Sequence, residues 1–450
     1  MNNPTQSRFH QFMNADSDTE LYKQLPAFAG VDADAAHRIG ASVEQCAEWL
    51  ARMAVVLREL SRIANARLSS EPVLELKVMY SRMAHESILN AAALERRLDE
   101  LRSQAHRIQH TLDFHLGDAL REAMFSPGTI GLATAFFRVV VPDLLQAIET
   151  YLAATNPLAD YESVRLLKHA RLDLQEHRGF GDEAMVVLLT SLANTKASTD
   201  WEHHLRQYLS RAGGILGDQP IPQHIKLPQP IAEEDYRVGA DFARDARFSP
   251  IVPKVVPPAP EGASPVHAEL YEMMWRRSQE TTAAELCATV AYEWDDDDLG
   301  NDFLIDMTRH GWDEARHGMF GRAALQTEGK QIWEVPAWIG YAKHTMPAPP
   351  PKRYAHLAMA TEMPAMKHPG GKRGQWEFCR DQAQHLLMTT FQDFDWADEV
   401  NHVHFGRRWL IQHYFKGDRR KALELGDETV RDRQAFYTQY AAKHPETDSL

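Results

Sequence analysis

Nearly all of this chain carries apolar residues at three- and four-residue spacing, and almost none of it alternates apolar with polar. That period matches the 3.6-residue helical repeat and not the two-residue repeat of a strand. In the first half, "VEQCAEWLARMAVVLRELSRIANARL" and "VLELKVMYSRMAHESILNAAALERRLDELR" read as long amphipathic helices with few breakers. "DLLQAIETYLAATNP" and "YESVRLLKHARLDLQEH" follow the same pattern, with Pro157 between them. The expected fold class is therefore all-α. At 450 residues the chain is too long for one core, so two helical domains are expected.

The boundary between them is compositional. From Asp218 to Pro265 there are ten prolines and no sustained apolar repeat. This reads as an extended segment, part of which ("DFARDARFSP") should pack and help to wall a pocket. The resulting division is an N-terminal extension over 1–40, a helical domain over 41–217, a Pro-rich linker on the surface over 218–263, and a second domain over 264–450. Helical pattern resumes at Ser264-Pro265, an N-cap and first-turn pair. From there "PVHAELYEMMWRRSQETTAAELCATVAYEW" reads as one helix running to the turn "DDDDLG", followed by "NDFLIDMTRHGWDEARHGMFGRAALQTEG".

The second domain carries the chemistry. "WDEARHGMF" places Glu314 and His317 three residues apart, and "DWADEVNHVHFG" places Glu399 and His402 at the same spacing. Residues i and i+3 share a helix face, so each pair offers a carboxylate and an imidazole to one ion. One such pair arises readily by chance. Two on separate helices, each led by an aspartate, are half of a carboxylate-bridged dimetal site, which also needs a glutamate from each of two further helices. Counting from a hairpin turn near Asp297, Glu314 lies 17 residues after it and Glu280 lies 17 before it, at the same level. Glu285 is more than a turn away and is the second choice. Upstream of Glu399, Glu362 on "YAHLAMATEM" is the matching candidate, with Pro364 ending its helix soon after. The expected metal ligands are Glu280, Glu314, His317, Glu362, Glu399 and His402. Asp313 and Asp398 are placed to support the histidine of the opposite helix, because ligand imidazoles usually donate their second N–H to a carboxylate. Arg316 is placed to pair with one of these aspartates.

With these residues in view, the C-terminal half resembles the ferritin-like superfamily of carboxylate-bridged dimetal proteins. The string D-E-A-R-H at Asp313–His317 looks like the motif of ribonucleotide reductase small subunits, bacterial multicomponent monooxygenases and N-oxygenases. "DEVNHVHFGRRWL" is similar to the last helix of a bacterial ferritin-like family with a "DEVxHVxxGxRW" pattern. "ETTAAELCATVAYEW" is similar to that family's first metal helix, which favours Glu280 over Glu285. The resemblance covers roughly residues 264–415. It implies a four-helix bundle holding two iron ions, or manganese, with O2 as co-substrate, and an oxygenase or oxidase acting on a small organic molecule, with an electron donor. Its alternatives are a storage, ferroxidase or peroxidase protein, and a helical interaction module stapled by metal. The N-terminal half has acidic and histidine residues but no E-x-x-H, and is expected to be metal-free.

Other classes find little support. The formal charge of −14 disfavours nucleic acid and anionic membrane as partners. Cys46, Cys287 and Cys379 are far apart, which fits a reducing compartment, and a cytoplasmic location is expected. The apolar run "TIGLATAFFRVVVPDLLQAI" is interrupted by Arg138, Pro142 and Asp143, and is expected to be core rather than membrane span.

Overall fold

The computed structural model describes residues 22–102, 114–221, 227–232, 234–294, 296 and 298–444. The first 21 residues of the expected extension, and Asp297 at the hairpin turn, thus lie outside the described residues.

The described chain is built almost entirely of helices, as its periodicity requires. In the N-terminal half, α1 (Val43–Leu68) begins at Ser42, whose hydroxyl accepts from the Gln45 N–H. It pairs with α2 (Leu74–Glu100) in antiparallel fashion, since Arg58 reaches Glu95 while Ser61 reaches Ala84. α3 (Phe114–Met124), α4 (Gly128–Thr134), α5 (Val141–Ala154), α6 (Tyr161–Leu188) and α7 (Leu192–Arg211) complete this half. Its core includes Leu50, Leu57, Tyr80, Phe136, Phe137 and Tyr151, all shielded from solvent. The helical stretch Gly128–Ala154 is long and apolar enough to cross a membrane by length and composition, but 67% of that window is buried here in protein. Its apolar side chains are used by the core.

The C-terminal half contains α8 (Pro265–Ser278), α9 (Thr281–Glu293), α10 (Asn301–Thr327), α11 (Pro350–Leu357), α12 (Gly371–Glu377), α13 (Leu386–Gly406) and α14 (Arg419–Lys443). Ser264 caps α8 through the His267 N–H, with Pro265 in the first turn. The expectation of one continuous helix over 265–294 needs correction, because the chain breaks at Gln279-Glu280. Both residues there donate to carbonyls only three positions back. The Gln279 side chain explains part of the break. It accepts from the Trp338 N–H at 2.7 Å and donates to Ser278 Oγ at 2.9 Å, tying the junction to a neighbouring strand.

Two other helices widen where a proline follows. The π turn Ala135–Val140 precedes Pro142, and the π turn Ala358–Glu362 precedes Pro364. A proline has no N–H for the carbonyl four residues back and its ring crowds that carbonyl, so a wider turn relieves both defects.

The two halves are not beads on a string. α2 lies against α10 and α1 against α9. Lys77 of α2 forms a fully buried ion pair with Glu285 of α9, and Arg244 of the linker joins it at 2.7 Å. The Pro-rich segment straps both halves. Its Ala243 N–H donates to the Ser69 carbonyl at 2.8 Å, Phe242 is buried, and β1 (Pro250–Ile251) pairs in parallel with β2 (Ala337–Trp338).

Candidate metal centre

Four segments converge on one buried polar core. Glu280 stands at the break between α8 and α9; His310, Asp313, Glu314, Arg316 and His317 lie on α10; Glu362 ends the π turn after α11; Asp395, Asp398, Glu399 and His402 lie on α13. α10 can come this close to the α8–α9 junction because it has no side chain at Gly318 and Gly321. A Cβ on Gly321 would fall 2.0 Å from the Ser278 backbone nitrogen, and one on Gly318 would fall 2.4 Å from Thr281 Oγ1. Those two glycines set the approach that lets Glu280 reach His317.

All six residues expected as ligands therefore share one site. His317 Nδ1 lies 3.7 Å from Glu280, 3.8 Å from Glu314 and 3.4 Å from Asp395. His402 Nδ1 lies 3.5 Å from Glu314, 3.8 Å from Glu362 and 3.9 Å from Glu399. Glu314 has one oxygen in each group, Oε1 beside His402 and Oε2 beside His317. The ligand atoms form three overlapping clusters: His310, Glu314, Glu362 and His402; Glu280, Glu314 and His317; and His317, Asp395 and Glu399. Within each cluster the atoms lie within 4.8 Å of one another.

These spacings suit cations better than hydrogen bonds. A hydrogen bond needs about 2.7–3.2 Å between heavy atoms, whereas two ligands roughly 2.1 Å from one ion lie about 3–4 Å apart. Consistent with that, His317 Nδ1, His402 Nδ1, Glu362 Oε2 and Glu399 Oε2 are buried without a hydrogen-bond partner among the described residues. Four such atoms in one pocket would be costly if nothing else satisfied them. The donor set, carboxylates with imidazoles and no thiolate, fits iron or manganese.

The leading aspartates reach across the helix pair. Asp398 Oδ2 lies 3.3 Å from His317 Nε2, and Asp313 Oδ2 lies 3.5 Å from His402 Nε2. Arg316 joins both, contacting Asp313 and lying 2.7 Å from Asp398, and Arg309 braces Asp313 at 2.8 Å. Burial pushes the Asp313 carboxyl up, but His402 first, then Arg309 and Arg316, hold it far below its ordinary range.

Four further residues belong to the site and went unrecognised in the sequence. His310 and Asp395 each sit four positions before a motif glutamate, one turn earlier on the same face. The strings are thus H-x-x-x-E-x-x-H and D-x-x-x-E-x-x-H, and following the face one turn back would have exposed both. His310 Nε2 lies 2.8 Å from Glu362, and its ring stacks on His402 at 3.8 Å. The other two are cations. Arg277 contacts Glu280 at 2.7 Å and Asp395 at 2.5 Å; Lys372 contacts Asp395 at 2.9 Å and Glu399 at 2.5 Å. Lys372 comes from the "HPGGKRG" break, where local pattern gives no hint of burial. Glu285, the second choice as ligand, is instead the partner of Lys77 and Arg244.

Charge in this core is unbalanced. Among the described residues, the five carboxylates Glu280, Glu314, Glu362, Asp395 and Glu399 are met in direct ion pairs by two lysine or arginine side chains, Arg277 and Lys372. The excess is felt by the neighbours. Burial resists charge on His310, yet Glu362 and Glu314 lift its pKa to about 10, and His317 is raised as well. Burial pushes Glu280 up to about 7 against the pull of Arg277 and Lys372. A site that draws protons onto two imidazoles is one that divalent cations would stabilise.

A pocket of about 220 Å³ opens onto the carboxylates of Glu280, Glu314, Glu362 and Glu399. Its wall includes Trp338, Tyr341 and Leu357, and Lys254 of the strap. The "RDARF" stretch is not part of it: Asp245 and Arg247 line a separate apolar pocket with Phe180 and Val187. Against models of known families, curated proteins and solved structures alike, the chain shows no match.

Proposed function

We propose that this protein is a non-haem dimetal oxidoreductase, with two iron ions in a ferritin-like four-helix arrangement, that uses O2 or peroxide to oxidise a small organic substrate. The observation that carries the reading is the pair of buried clusters joined through Glu314, with orphaned histidine and carboxylate atoms aimed between them. His310, Glu314, Glu362 and His402 would hold one ion. Glu280, Glu314 and His317, with Asp395 and Glu399 beside them, would hold the other. Bound metal supplies redox chemistry and a place for oxygen to be activated.

The chain's own residues then have defined tasks. Glu314 has an oxygen in each cluster and would help to hold both ions. Asp398 and Asp313 fix the histidine rings, so that each presents Nδ1 inward. Arg277 and Lys372 hold Asp395, Glu280 and Glu399 in place, and each presents N–H donors at the pocket floor. The pocket favours an enzyme over a storage protein, because it gives an organic molecule a path to the carboxylates. A soluble protein in a reducing compartment, served by an external electron donor, completes the proposal.

The test is to load the protein with ferrous iron anaerobically, mix it with O2 and follow absorbance by stopped flow. A transient that forms at a rate proportional to protein concentration supports the reading. Iron that oxidises no faster than free ferrous ion in the same buffer contradicts it.

A further inference from the structure

The pocket above the carboxylates is walled by positive charge. Lys254, Arg276, Arg277 and Lys372 all line it. Arg277 and Lys372 are engaged with Glu280, Asp395 and Glu399, but the other two stand at the mouth with little to neutralise them. Arg276 has one exposed partner, Glu272, on its own helix. Lys254 has neither an ion pair nor a hydrogen bond among the described residues; its ammonium group lies over the rings of Trp275 and Trp338, 6.0 and 5.3 Å from their centroids.

The position of Lys254 is built, not incidental. The β1–β2 pairing fixes the strap beside Trp338, and Trp338 Nε1 donates to the Val252 carbonyl at 3.0 Å, two residues before the lysine. Trp338 is held in turn by Gln279 next to Glu280. The strap, the tryptophan and the metal-site break are therefore one assembly with a cation at its edge.

Electrostatics then decide which substrate fits. Five carboxylates against Arg277 and Lys372 leave three negative charges; two divalent ions turn that into one positive charge. With Lys254 and Arg276 added, the loaded pocket is electropositive from floor to mouth. Resting on the dimetal reading above, we propose that the pocket takes a small organic anion, a carboxylate or a phosphate monoester. Its charged group is held by Lys254 and Arg276, and its body lies against Trp338, Ala283 and Leu357. A neutral molecule of the same shape would forgo the charge-assisted contacts to both cations.

The experiment titrates the iron-loaded full chain by calorimetry with benzoate, phenyl phosphate and neutral benzamide, with metal content measured on the same samples. The expected result is that benzoate or phenyl phosphate binds on the order of tenfold tighter than benzamide. Which of the two binds tighter tells carboxylate from phosphate. In Lys254→Met and in Arg276→Gln the preference falls about tenfold while metal content is unchanged. Two ions per chain with benzamide binding as well as both anions, or with the preference intact in both variants, overturns this inference alone. A chain that takes up no metal overturns the dimetal reading and the inference with it.

Discussion

Glu314 is the residue on which the centre turns, because its two oxygens face different histidines. Replacing it should therefore affect both ions, whereas replacing Glu280, which belongs to the His317 cluster and not to the His402 cluster, should affect one. Metal analysis of Glu280→Ala is expected to show about half the wild-type content; full retention would remove Glu280 from the ligand set. The supporting aspartates act through the imidazoles. Asp398→Asn should weaken metal affinity by about 10- to 100-fold without unfolding the chain, measured by competition with a chelator. An unchanged affinity would make Asp398 merely a partner of Arg316. At this scale the sequence was readable where chemistry repeats: two E-x-x-H pairs with leading aspartates are visible because all their members lie within five residues. His310 and Asp395 were missed one turn back, since a four-residue step onto the same face was not followed. Lys372 and Arg277 could not be read at all, because nothing in a local string shows that a lysine beside two glycines will lie buried against Asp395.

Elements bring those residues into range. The close crossing of α10 over the α8–α9 junction depends on Gly321, where a methyl group would meet the Ser278 backbone rather than a movable side-chain tip. Gly321→Ala should cost about 1–3 kcal/mol in urea unfolding and should also reduce metal occupancy, since the helix must retreat from Glu280. Unfolding that matches wild type would show that the crossing has slack. Helical periodicity made α1, α2, α5, α6 and α10 legible, and the Ser264-Pro265 start in particular, whereas α7 and α14 were not singled out. The break at Gln279-Glu280 was not legible, because part of its cause is a hydrogen bond to Trp338, some sixty residues downstream. Hairpin counting still matched Glu280 with Glu314, which share one cluster with His317.

The whole molecule depends on contacts between the halves that the compositional boundary concealed. Lys77 and Glu285 are both fully buried, so Lys77→Met leaves Glu285 with Arg244 alone. The expected loss is about 3 kcal/mol or more, read from denaturant unfolding. A second global property is acid sensitivity away from the metal centre. His344 and His356 lie 4.8 Å apart, packed with Tyr341, Phe436 and Tyr437, and near Arg433 and Asp432. Burial lowers His344 to about 3, with repulsion from His356 adding to it, and lowers His356 to about 4, with Arg433 adding to it. Both folded values lie below the unfolded value near 6.5. The unfolded chain therefore binds more protons as pH falls, so the stability these groups contribute is full above pH 6.5 and is lost as pH drops toward 4 and then 3. Between pH 6.5 and 4.5 the wild-type midpoint should fall more steeply than that of His356→Phe. Parallel pH profiles would contradict the assignment.

The central claim is that two metal ions share Glu314. It is tested most directly by measuring bound iron per chain in the wild type and in Glu314→Ala, each reconstituted anaerobically and desalted. Two ions in the wild type and almost none in the variant, with helical content unchanged by circular dichroism, is the predicted result. A wild type that binds no iron, or a variant that keeps both ions, would contradict it.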